Sequence, residues 1–277
     1  MSANRTQPLI DTATLRDAIA TDEPLCILDC RARLGESSAG RRLWEAEHLP
    51  GSRHLDLDRD LAAAPGDEGR HPLPSQSEFT ATLQRLGVSP EIPVVLYDDR
   101  GGQLAAARAW WMLHCWAGHP EVRVLDGGLL AWQREGGDMT HGVVITEPSD
   151  WRPRFDERAL AMADSVLTSP DLKLDARAPE RFRGEAEPID PIAGHIPGAV
   201  CRHSAANLAG DGRFKSAVQL AAELPQHDGM ISYCGSGVTA CHNILAYAIA
   251  GRDLPRLYAG SWSHWIRDPN RPVATGE

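Results

Sequence analysis

Leu28-Asp29-Cys30-Arg31 recurs as Leu174-Asp175-Ala176-Arg177, 146 positions further along the chain (Asp29 to Asp175). A second motif follows each of them in the same order, Glu47-His48-Leu49-Pro50-Gly51 in the first half and Gly194-His195-Ile196-Pro197-Gly198 in the second. Self-similarity at one long offset indicates a structural unit that is present twice. With 277 residues, the chain is long enough for two such units, each with its own hydrophobic core.

The pattern within each copy predicts an α/β fold. In the first copy, a short apolar run at 25–28 is followed by segments of helical periodicity at 77–86 and 105–116. Apolar strands separated by helices are typical of a parallel sheet that helices cover on both faces. Thr14 followed by Asp17 has capping-box spacing and predicts the start of the first helix. We predict two domains, at residues 8–137 and 158–277. The linker between them, at residues 138–157, has no periodicity.

Composition excludes several classes of protein. The net charge is −10, from 28 basic and 38 acidic residues, so nucleic acid is a poor partner. The longest apolar stretch, 109–118, is about half the length that a bilayer span requires, so we expect no contact with a membrane. The first twenty residues lack the apolar core of a secretory signal. We therefore expect a cytoplasmic protein.

The cysteines predict free thiols. Six cysteines in a chain of 277 residues are too few for a disulfide scaffold, and a cytoplasmic location favours the reduced form. Cys26 and Cys30 lie four positions apart in a strand-like run, with no second Cys/His pair at ligand spacing. We expect neither a metal nor a cofactor.

The strongest indication of a functional site is residues 230–240, Met230-Ile231-Ser232-Tyr233-Cys234-Gly235-Ser236-Gly237-Val238-Thr239-Ala240. A strand ends at Cys234, a short loop with two glycines follows, and a helix begins. Because the carboxyl ends of strands in an α/β sheet face the binding crevice, Cys234 is expected where ligands bind. The glycines allow loop N–H groups to turn inward at a helix N-terminus, which favours the nucleophilic thiolate. The alternative is a buried, chemically inert cysteine.

The first copy has Asp98 at the position that Cys234 occupies in the second. Only the second copy has a nucleophile at this position, so we expect the first copy to be catalytically silent. Cys241, seven residues beyond Cys234 on the following helix, is interpreted as a core residue. We also assign four tryptophans to the first core, namely Trp110, Trp111, Trp116 and Trp132.

Together these motifs, completed by Tyr258-Ala259-Gly260-Ser261-Trp262, resemble those of the rhodanese family of sulfurtransferases over nearly the whole chain. The resemblance implies two tandem rhodanese-like domains, each a parallel sheet flanked by helices, with one active site at their interface. It implies that Cys234 is the catalytic nucleophile. It also implies a loop that binds the persulfide and the substrate, consisting of Gly235, Ser236, Gly237, Val238 and Thr239.

The loop is similar to that of 3-mercaptopyruvate sulfurtransferases, whereas thiosulfate sulfurtransferases carry two basic residues after the cysteine. Arg181 matches the family arginine that binds the substrate carboxylate, and its alternative is a solvated loop charge. Asp58 and His71 match residues that face the cysteine across the domain crevice, and their alternatives are a surface turn and a packed histidine.

Two departures from the family pattern stand out. A second arginine is common where this chain has Glu187-Pro188-Ile189-Asp190, and an aspartate is common at the position of Ala259. The missing arginine leaves the binding of the substrate carboxylate open.

The resemblance implies that the Cys234 thiolate takes sulfur from 3-mercaptopyruvate and passes it, through a persulfide, to a thiol, a thioredoxin or cyanide. Two alternatives stay open: the same chemistry with thiosulfate as donor, and a non-catalytic persulfide carrier with the same cysteine. A cysteine phosphatase is a weak alternative, because the Cys-x5-Arg pattern that clamps phosphate would need arginine at Ala240.

Overall fold

Two parallel sheets form the framework of the structure, a computed structural model that describes residues 7–21 and 23–277. The first sheet has the order β1-β5-β4-β2-β3, with strands Leu9–Ile10 (β1), Cys26–Asp29 (β2), Arg53–His54 (β3), Val94–Tyr97 (β4) and Val122–Leu125 (β5). The second has the order β7-β6-β8-β9, with strands Leu172–Asp175 (β6), Ala199–Cys201 (β7), Met230–Tyr233 (β8) and Arg256–Leu257 (β9). The predicted α/β class is confirmed.

Helices pack around both sheets. In the first half they are Thr12–Ala20 (α1), Ala39–Ala46 (α2), Gln76–Arg85 (α3), Ala105–Trp110 (α4) and Gly128–Arg134 (α5). In the second half they are Ala163–Thr168 (α6), Pro179–Phe182 (α7), Ala217–Glu223 (α8), Ala240–Ile249 (α9) and Ser261–Trp265 (α10). Short 3-10 turns lie at Glu157–Ala159 and Ser204–Asn207. None of the helices described is long and apolar enough to cross a bilayer.

The predicted start of α1 was wrong. The helix is capped by Asp11, whose carboxylate accepts a hydrogen bond from the Thr14 amide at 2.9 Å. An aspartate at this position already satisfies a free N–H of the first turn, so Thr14 lies inside the helix. The predicted helix at 105–116 is also not uniform, because α4 continues as a π-helix over Trp111–Trp116.

The four tryptophans assigned to the first core, Trp110, Trp111, Trp116 and Trp132, are all at most 3% exposed. The largest hydrophobic cluster nevertheless includes residues of both halves, since α4 packs against α9. Residues 138–156 contain no helix or strand. The bounds 8–137, 138–157 and 158–277 stay a prediction.

The repeated Asp-x-Arg motif forms the same buried ion pair in both halves. Arg31 binds Asp29 and Arg177 binds Asp175, each at 2.7 Å and with both side chains at most 3% exposed. A tyrosine at the end of the next strand, Tyr97, donates to Asp29 at 2.6 Å. The motif forms the same ion pair in the first half, which has no counterpart of Cys234. We therefore infer that it stabilises the fold and has no catalytic role.

The tyrosines also connect each sheet to the His-x-Pro-Gly turn. The Tyr97 hydroxyl accepts from the Leu49 amide at 3.2 Å, and the Tyr233 hydroxyl accepts from the Ile196 amide at 3.1 Å. The second repeated motif is therefore held against the first in each domain.

Each domain extends a segment onto the other. Gly69, in the long connection between β3 and α3, lies so close to the second domain that a Cβ there would be 2.9 Å from Ser263 Oγ. In the opposite direction, the Phe214 amide donates to the Asp126 carboxylate at 2.9 Å. The two domains are therefore joined by a segment from each that packs against the other.

His242 is a fully buried residue of α9 at this interface. Its Nε2 contacts the Gly101 carbonyl of the first domain at 3.2 Å, and its Nδ1 contacts the Asn207 amide nitrogen at 3.2 Å. Asn207 also donates to Asn243, which fixes its amide orientation. Nδ1 must therefore accept a hydrogen bond, and burial lowers the pKa of His242 to about 4.

We predict that the free energy of unfolding decreases as the pH falls from 6.5 to about 4. The folded-state pKa of His242 lies below its ordinary value of 6.5, so the unfolded chain binds the proton first. This group contributes up to about 3 kcal/mol of that loss. Urea unfolding between pH 7 and pH 4 should be less pH-dependent in His242→Gln than in the unchanged protein. The matched control is His227→Gln at an exposed site, and an identical pH dependence in all three proteins would contradict the assignment.

Candidate active site

Cys234 follows β8 directly, at the carboxyl end of an inner strand of the second sheet. The residue is 2% exposed, and its Sγ accepts a hydrogen bond from the Gly237 amide at 3.2 Å. The Cys234 amide donates to Ser261 Oγ at 3.0 Å, and the Cys234 carbonyl accepts from the Trp262 amide at 3.0 Å. The thiol is therefore held by its own loop on one side and by the start of α10 on the other.

Ser261 has a strained backbone. Its φ of +54° makes it the one non-glycine residue in the left-handed region within residues 7–21 and 23–277. Its hydroxyl donates to the Tyr258 carbonyl at 2.9 Å while it accepts from Cys234. The equivalent position in the first domain, Gly128, has a φ of +57° without that strain. The hydroxyl of Ser261 is thus present only in the domain that contains Cys234.

The loop after Cys234 is largely buried, with only Thr239 half-buried. The sequence predicts several loop amides turned towards the sulfur, but one hydrogen bond to Sγ is found in the described structure, from Gly237. Gly237 has a φ of +78°, and a Cβ there would be 2.2 Å from the Ala259 carbonyl oxygen. Its conformation and the space around it both require glycine. Gly237 packs against the backbone carbonyl of residue 259. The presence of alanine there, where the family commonly has aspartate, therefore leaves this contact unchanged.

Cys241 is fully buried in α9, and its thiol donates to the Gly237 carbonyl at 3.4 Å. Burial raises the pKa of Cys241 far above its ordinary value. Its position agrees with the core role that the sequence predicts, and it supports the loop from behind.

The first domain has a carboxyl group of its own in the equivalent loop. The buried Asp98 carboxylate accepts from the amides of Arg100 and Gly102, both at 2.8 Å, and from that of Leu104 at 3.3 Å. Burial raises the pKa of Asp98. The structure therefore places a carboxylate of the chain itself where the second domain has its thiol.

His71 extends from the first domain to the cysteine loop of the second. Its Nδ1 lies 2.8 Å from Ser236 Oγ, and its Nε2 lies 3.5 Å from Asp58 Oδ1. Burial, Arg108 and Arg70 lower the pKa of His71 to about 4, so its ring is neutral at pH 7. Burial and Asp56 raise the pKa of Asp58. The structure thus brings Asp58, His71 and Ser236 together in one row, and within the part of the chain that the structure describes none of the three forms a hydrogen bond to Cys234 Sγ.

Sequence reasoning missed Arg108, which positions this segment. The arginine is fully buried in α4, and it donates to the carbonyls of Leu61 at 3.0 Å, His71 at 2.9 Å and Pro72 at 3.2 Å. The available signal was a charged residue in the otherwise apolar run 105–113. A buried guanidinium bonded to three carbonyls fixes where His71 enters the interface.

Arg181 lies beside the loop, in α7. Its guanidinium binds Glu187 at 2.7 Å and Asp190 at 3.1 Å. Glu187 is also bound by Arg177, at 3.3 Å. Arg181 is therefore a fixed charge near the cysteine, and the solvated alternative is excluded because its side chain is 16% exposed and doubly paired.

Arg70 is the second residue that sequence reasoning missed. It belongs to the first domain, and its guanidinium forms an ion pair with Asp190 of the second. A cavity of about 610 Å³ opens here, with both domains contributing to its wall. Its polar lining consists of Ser37, Asp58, Arg70, His71 and Ser236. Within the described residues, no cluster of three histidine, cysteine or carboxylate side chains has the geometry of a metal site.

Comparison with known proteins agrees with this architecture. A family model described as "Rhodanese-like domain" matches residues 11–135 and again residues 160–268. A Pseudomonas aeruginosa protein named "Probable 3-mercaptopyruvate sulfurtransferase" is 48% identical, over 96% of this chain and 98% of its own. A Mycobacterium tuberculosis protein, SseB, named for thiosulfate sulfurtransferase activity, is 41% identical over 98% of each chain.

Among solved structures, the 3-mercaptopyruvate sulfurtransferase from Leishmania major superposes with a TM-score of 0.84 at 28% identity. The match covers 97% of this chain and 77% of that one. Since the family model covers both halves and the relatives align over nearly the full length, this chain belongs to the rhodanese family of sulfurtransferases and has two rhodanese-like domains.

Proposed function

We propose that this chain is a 3-mercaptopyruvate sulfurtransferase in which Cys234 carries the transferred sulfur. The observation that carries the proposal is the position of one thiol at the carboxyl end of β8, bonded to the Gly237 amide and adjacent to a fixed guanidinium, that of Arg181. The equivalent position in the first domain is Asp98. Of the two equivalent positions, only the one in the second domain therefore has a thiol. Transfer in two half-reactions follows from that arrangement.

In the first half-reaction, the Cys234 thiolate attacks the sulfur of 3-mercaptopyruvate. The new S–S bond forms as the C–S bond of the donor breaks, and the electron pair of that bond leaves on carbon as the enolate of pyruvate. The proton of the donor thiol balances the step, since the products are pyruvate and the Cys234 persulfide anion. The Gly237 amide stabilises this anion, as a hydrogen-bond donor in an oxyanion hole does for oxygen. The other loop residues, Gly235, Ser236, Val238 and Thr239, shape the space that the outer sulfur occupies.

In the second half-reaction, a nucleophilic acceptor attacks the outer sulfur and releases the Cys234 thiolate. A small thiol, a thioredoxin or cyanide fits this step, with a new persulfide or thiocyanate as the product. All six cysteines of the chain are free, which suits the reducing cytoplasm where thiol acceptors are abundant. We propose that the enzyme acts there, without nucleic acid or membrane as a partner.

Ser236 and His71 are suited to move the proton that pyruvate needs. In the tautomer with its proton on Nδ1, the neutral His71 ring donates to Ser236 Oγ, which leaves the hydroxyl proton of Ser236 free to be transferred and then replaced from the ring. Asp58 faces the other ring nitrogen. The Ser236 hydroxyl lies on the loop next to Cys234 and can donate to the enolate carbon or to the donor carbonyl. Asp58 acts as a positioning residue for His71.

The charges around the cysteine favour a singly charged donor. No basic side chain lies between Gly235 and Thr239, and the two nearby guanidinium groups, of Arg181 and Arg70, are already paired with Glu187 and Asp190. These ion pairs neutralise most of the positive potential that would stabilise a dianion such as thiosulfate. A single carboxylate can still accept hydrogen bonds from the free N–H groups of the two arginines. Thiosulfate remains the alternative donor, and SseB is a relative named for it.

Replacement of the nucleophile is the first test. Cys234→Ser should abolish sulfur transfer from any donor, because a hydroxyl cannot hold sulfane sulfur, while the unfolding temperature stays close to that of the unchanged protein. Cys241→Ser is the matched control in the same buried region and should keep most of the activity. Thiocyanate formation with cyanide as acceptor measures both variants with either donor, and pyruvate release measures them with 3-mercaptopyruvate. Turnover by Cys234→Ser would refute the assignment of the nucleophile.

The donor preference is the second test. We expect kcat/KM for 3-mercaptopyruvate to exceed that for thiosulfate by at least about tenfold, equivalent to about 1.4 kcal/mol of transition-state discrimination. Both donors are measured with cyanide as the common acceptor. Equal or reversed values would overturn the assignment of 3-mercaptopyruvate as the donor and leave the persulfide mechanism standing. Persulfide formation without multiple turnovers, with excess donor and acceptor, would instead identify a non-catalytic carrier.

A further inference from the structure

Ser261 lies beside the point where β8 and β9 stop pairing. A ladder bond near this end runs from the Tyr258 amide to the Ser232 carbonyl at 3.0 Å. In a parallel ladder of this register, the next bond would run from the Cys234 amide to the Tyr258 carbonyl. The Cys234 amide instead donates to Ser261 Oγ at 3.0 Å, and that hydroxyl donates to the Tyr258 carbonyl at 2.9 Å. A side-chain hydroxyl is therefore inserted into the ladder at the nucleophile.

The inserted hydroxyl determines how closely the two chains approach each other. A direct bond would bring the Cys234 nitrogen and the Tyr258 oxygen to about 2.9 Å from each other. With the hydroxyl between them, the same two atoms are bridged by two hydrogen bonds in series. The Cys234 side chain moves with its own backbone. The spacing therefore also determines where Sγ lies relative to the Gly237 amide, which is 3.2 Å away.

Ser261 occupies this place at a conformational cost. Its φ of +54° lies in the left-handed region, which glycine enters freely and serine does not. The first domain follows the same backbone route with a glycine, Gly128, whose φ is +57°. The amide of the next residue, Leu129, donates to the Asp98 carbonyl at 2.9 Å. The turn can therefore form without a side chain at this position.

The corresponding backbone bond of the second domain, from the Trp262 amide to the Cys234 carbonyl, is 3.0 Å long. Since this bond is nearly the same in both copies, what the strained residue adds to the second copy is its hydroxyl. Backbone strain that the fold does not require, next to a nucleophile, indicates a functional constraint.

We propose that Ser261 is a positioning residue for sulfur transfer, because its hydroxyl holds the Cys234 backbone where the thiol can attack the donor sulfur. The inference rests on the proposed function in that Cys234 is the nucleophile, whichever donor supplies the sulfur. Without the hydroxyl, the Cys234 amide is free to bond directly to the Tyr258 carbonyl, which draws the thiol towards β9. A displacement of about 1 Å at a reacting atom can lower a rate by about 100-fold.

Two substitutions separate the hydroxyl from the strain. Ser261→Gly removes both, whereas Ser261→Ala removes the hydroxyl and keeps a side chain at a positive φ. Ser261→Gly should therefore unfold at a higher temperature than Ser261→Ala. The rate of persulfide formation in a single turnover with saturating 3-mercaptopyruvate should nevertheless fall by about 10-fold to 100-fold in both variants. A role in stability alone would leave this rate unchanged at a temperature where the variants are folded.

Ser232→Ala is the matched control. Ser232 is also fully buried, and its hydroxyl donates to the Ala240 carbonyl at 3.0 Å. Its loss likewise removes a buried side-chain hydrogen bond close to Cys234, but one that leads to α9. This variant should unfold at a lower temperature than the unchanged protein and keep its rate of persulfide formation within about twofold.

Three results would overturn the role of Ser261. They are an unchanged rate in Ser261→Gly, a loss of rate that a higher donor concentration restores, and an equal loss in Ser232→Ala.

Inorganic polysulfide separates this failure from failure of the proposed function. The Cys234 thiolate attacks a terminal sulfur of the polysulfide, an S–S bond breaks, and the electron pair leaves on a polysulfide that is one atom shorter. Slower persulfide formation from polysulfide in both Ser261 variants should occur even if the unchanged protein does not react with 3-mercaptopyruvate. That combination would support the positioning role and refute the proposed donor. Equal rates from polysulfide in the unchanged protein and both variants would refute the positioning role.

Discussion

A line of alternating charges connects the core of the second domain to the first domain, and the geometry around the cysteine depends on it. In order, its members are Asp175, Arg177, Glu187, Arg181, Asp190 and Arg70. The line begins at the buried ion pair of the Asp-x-Arg motif, between Asp175 and Arg177. Removal of either partner there would leave an unpaired buried charge, which costs several kcal/mol of stability. It ends on a residue of the other domain. The same interactions that hold the fold together therefore determine where the guanidinium groups lie near Cys234.

The duplication shows how one fold can hold a reactive site in one copy and a silent one in the other. Both copies keep the ion pair, the tyrosine and the turn that follows, because these interactions stabilise the domain itself. They differ at Asp98 against Cys234 and at Gly128 against Ser261. In the first copy the loop amides bind the chain's own carboxylate. In the second, the Gly237 amide donates to a thiol, and the Cys234 backbone is held by the strained Ser261.

Much of the fold could be predicted from the sequence, because the signals are local. Apolar runs identify the strands, and the glycine loop after Cys234 identifies the carboxyl end of β8. The start of α1 was assigned three residues too late, since Asp11 caps the helix and the Thr14 pattern lies inside its first turn. The π-helix after α4 leaves no recognisable trace in the pattern of apolar residues.

The site was predicted less completely, because it is built across the domain interface. Resemblance to the family pointed to Asp58 and His71, and the structure brings His71 to Ser236. Arg70 and Arg108 follow no local pattern, because their partners lie in distant parts of the chain. Their roles depend on long-range contacts that periodicity and motifs do not encode.

The central claim is that the sulfur in transit is bound to Cys234. The most direct measurement is peptide mapping by mass spectrometry after the full-length protein has reacted with 3-mercaptopyruvate in the absence of an acceptor. Free thiols and persulfides are alkylated before digestion, so that each of the six cysteines is assigned separately. The account predicts one additional sulfur atom on the peptide that contains Cys234, in amounts that match the pyruvate released. Additional sulfur on another cysteine, or pyruvate release without any persulfide, would contradict it.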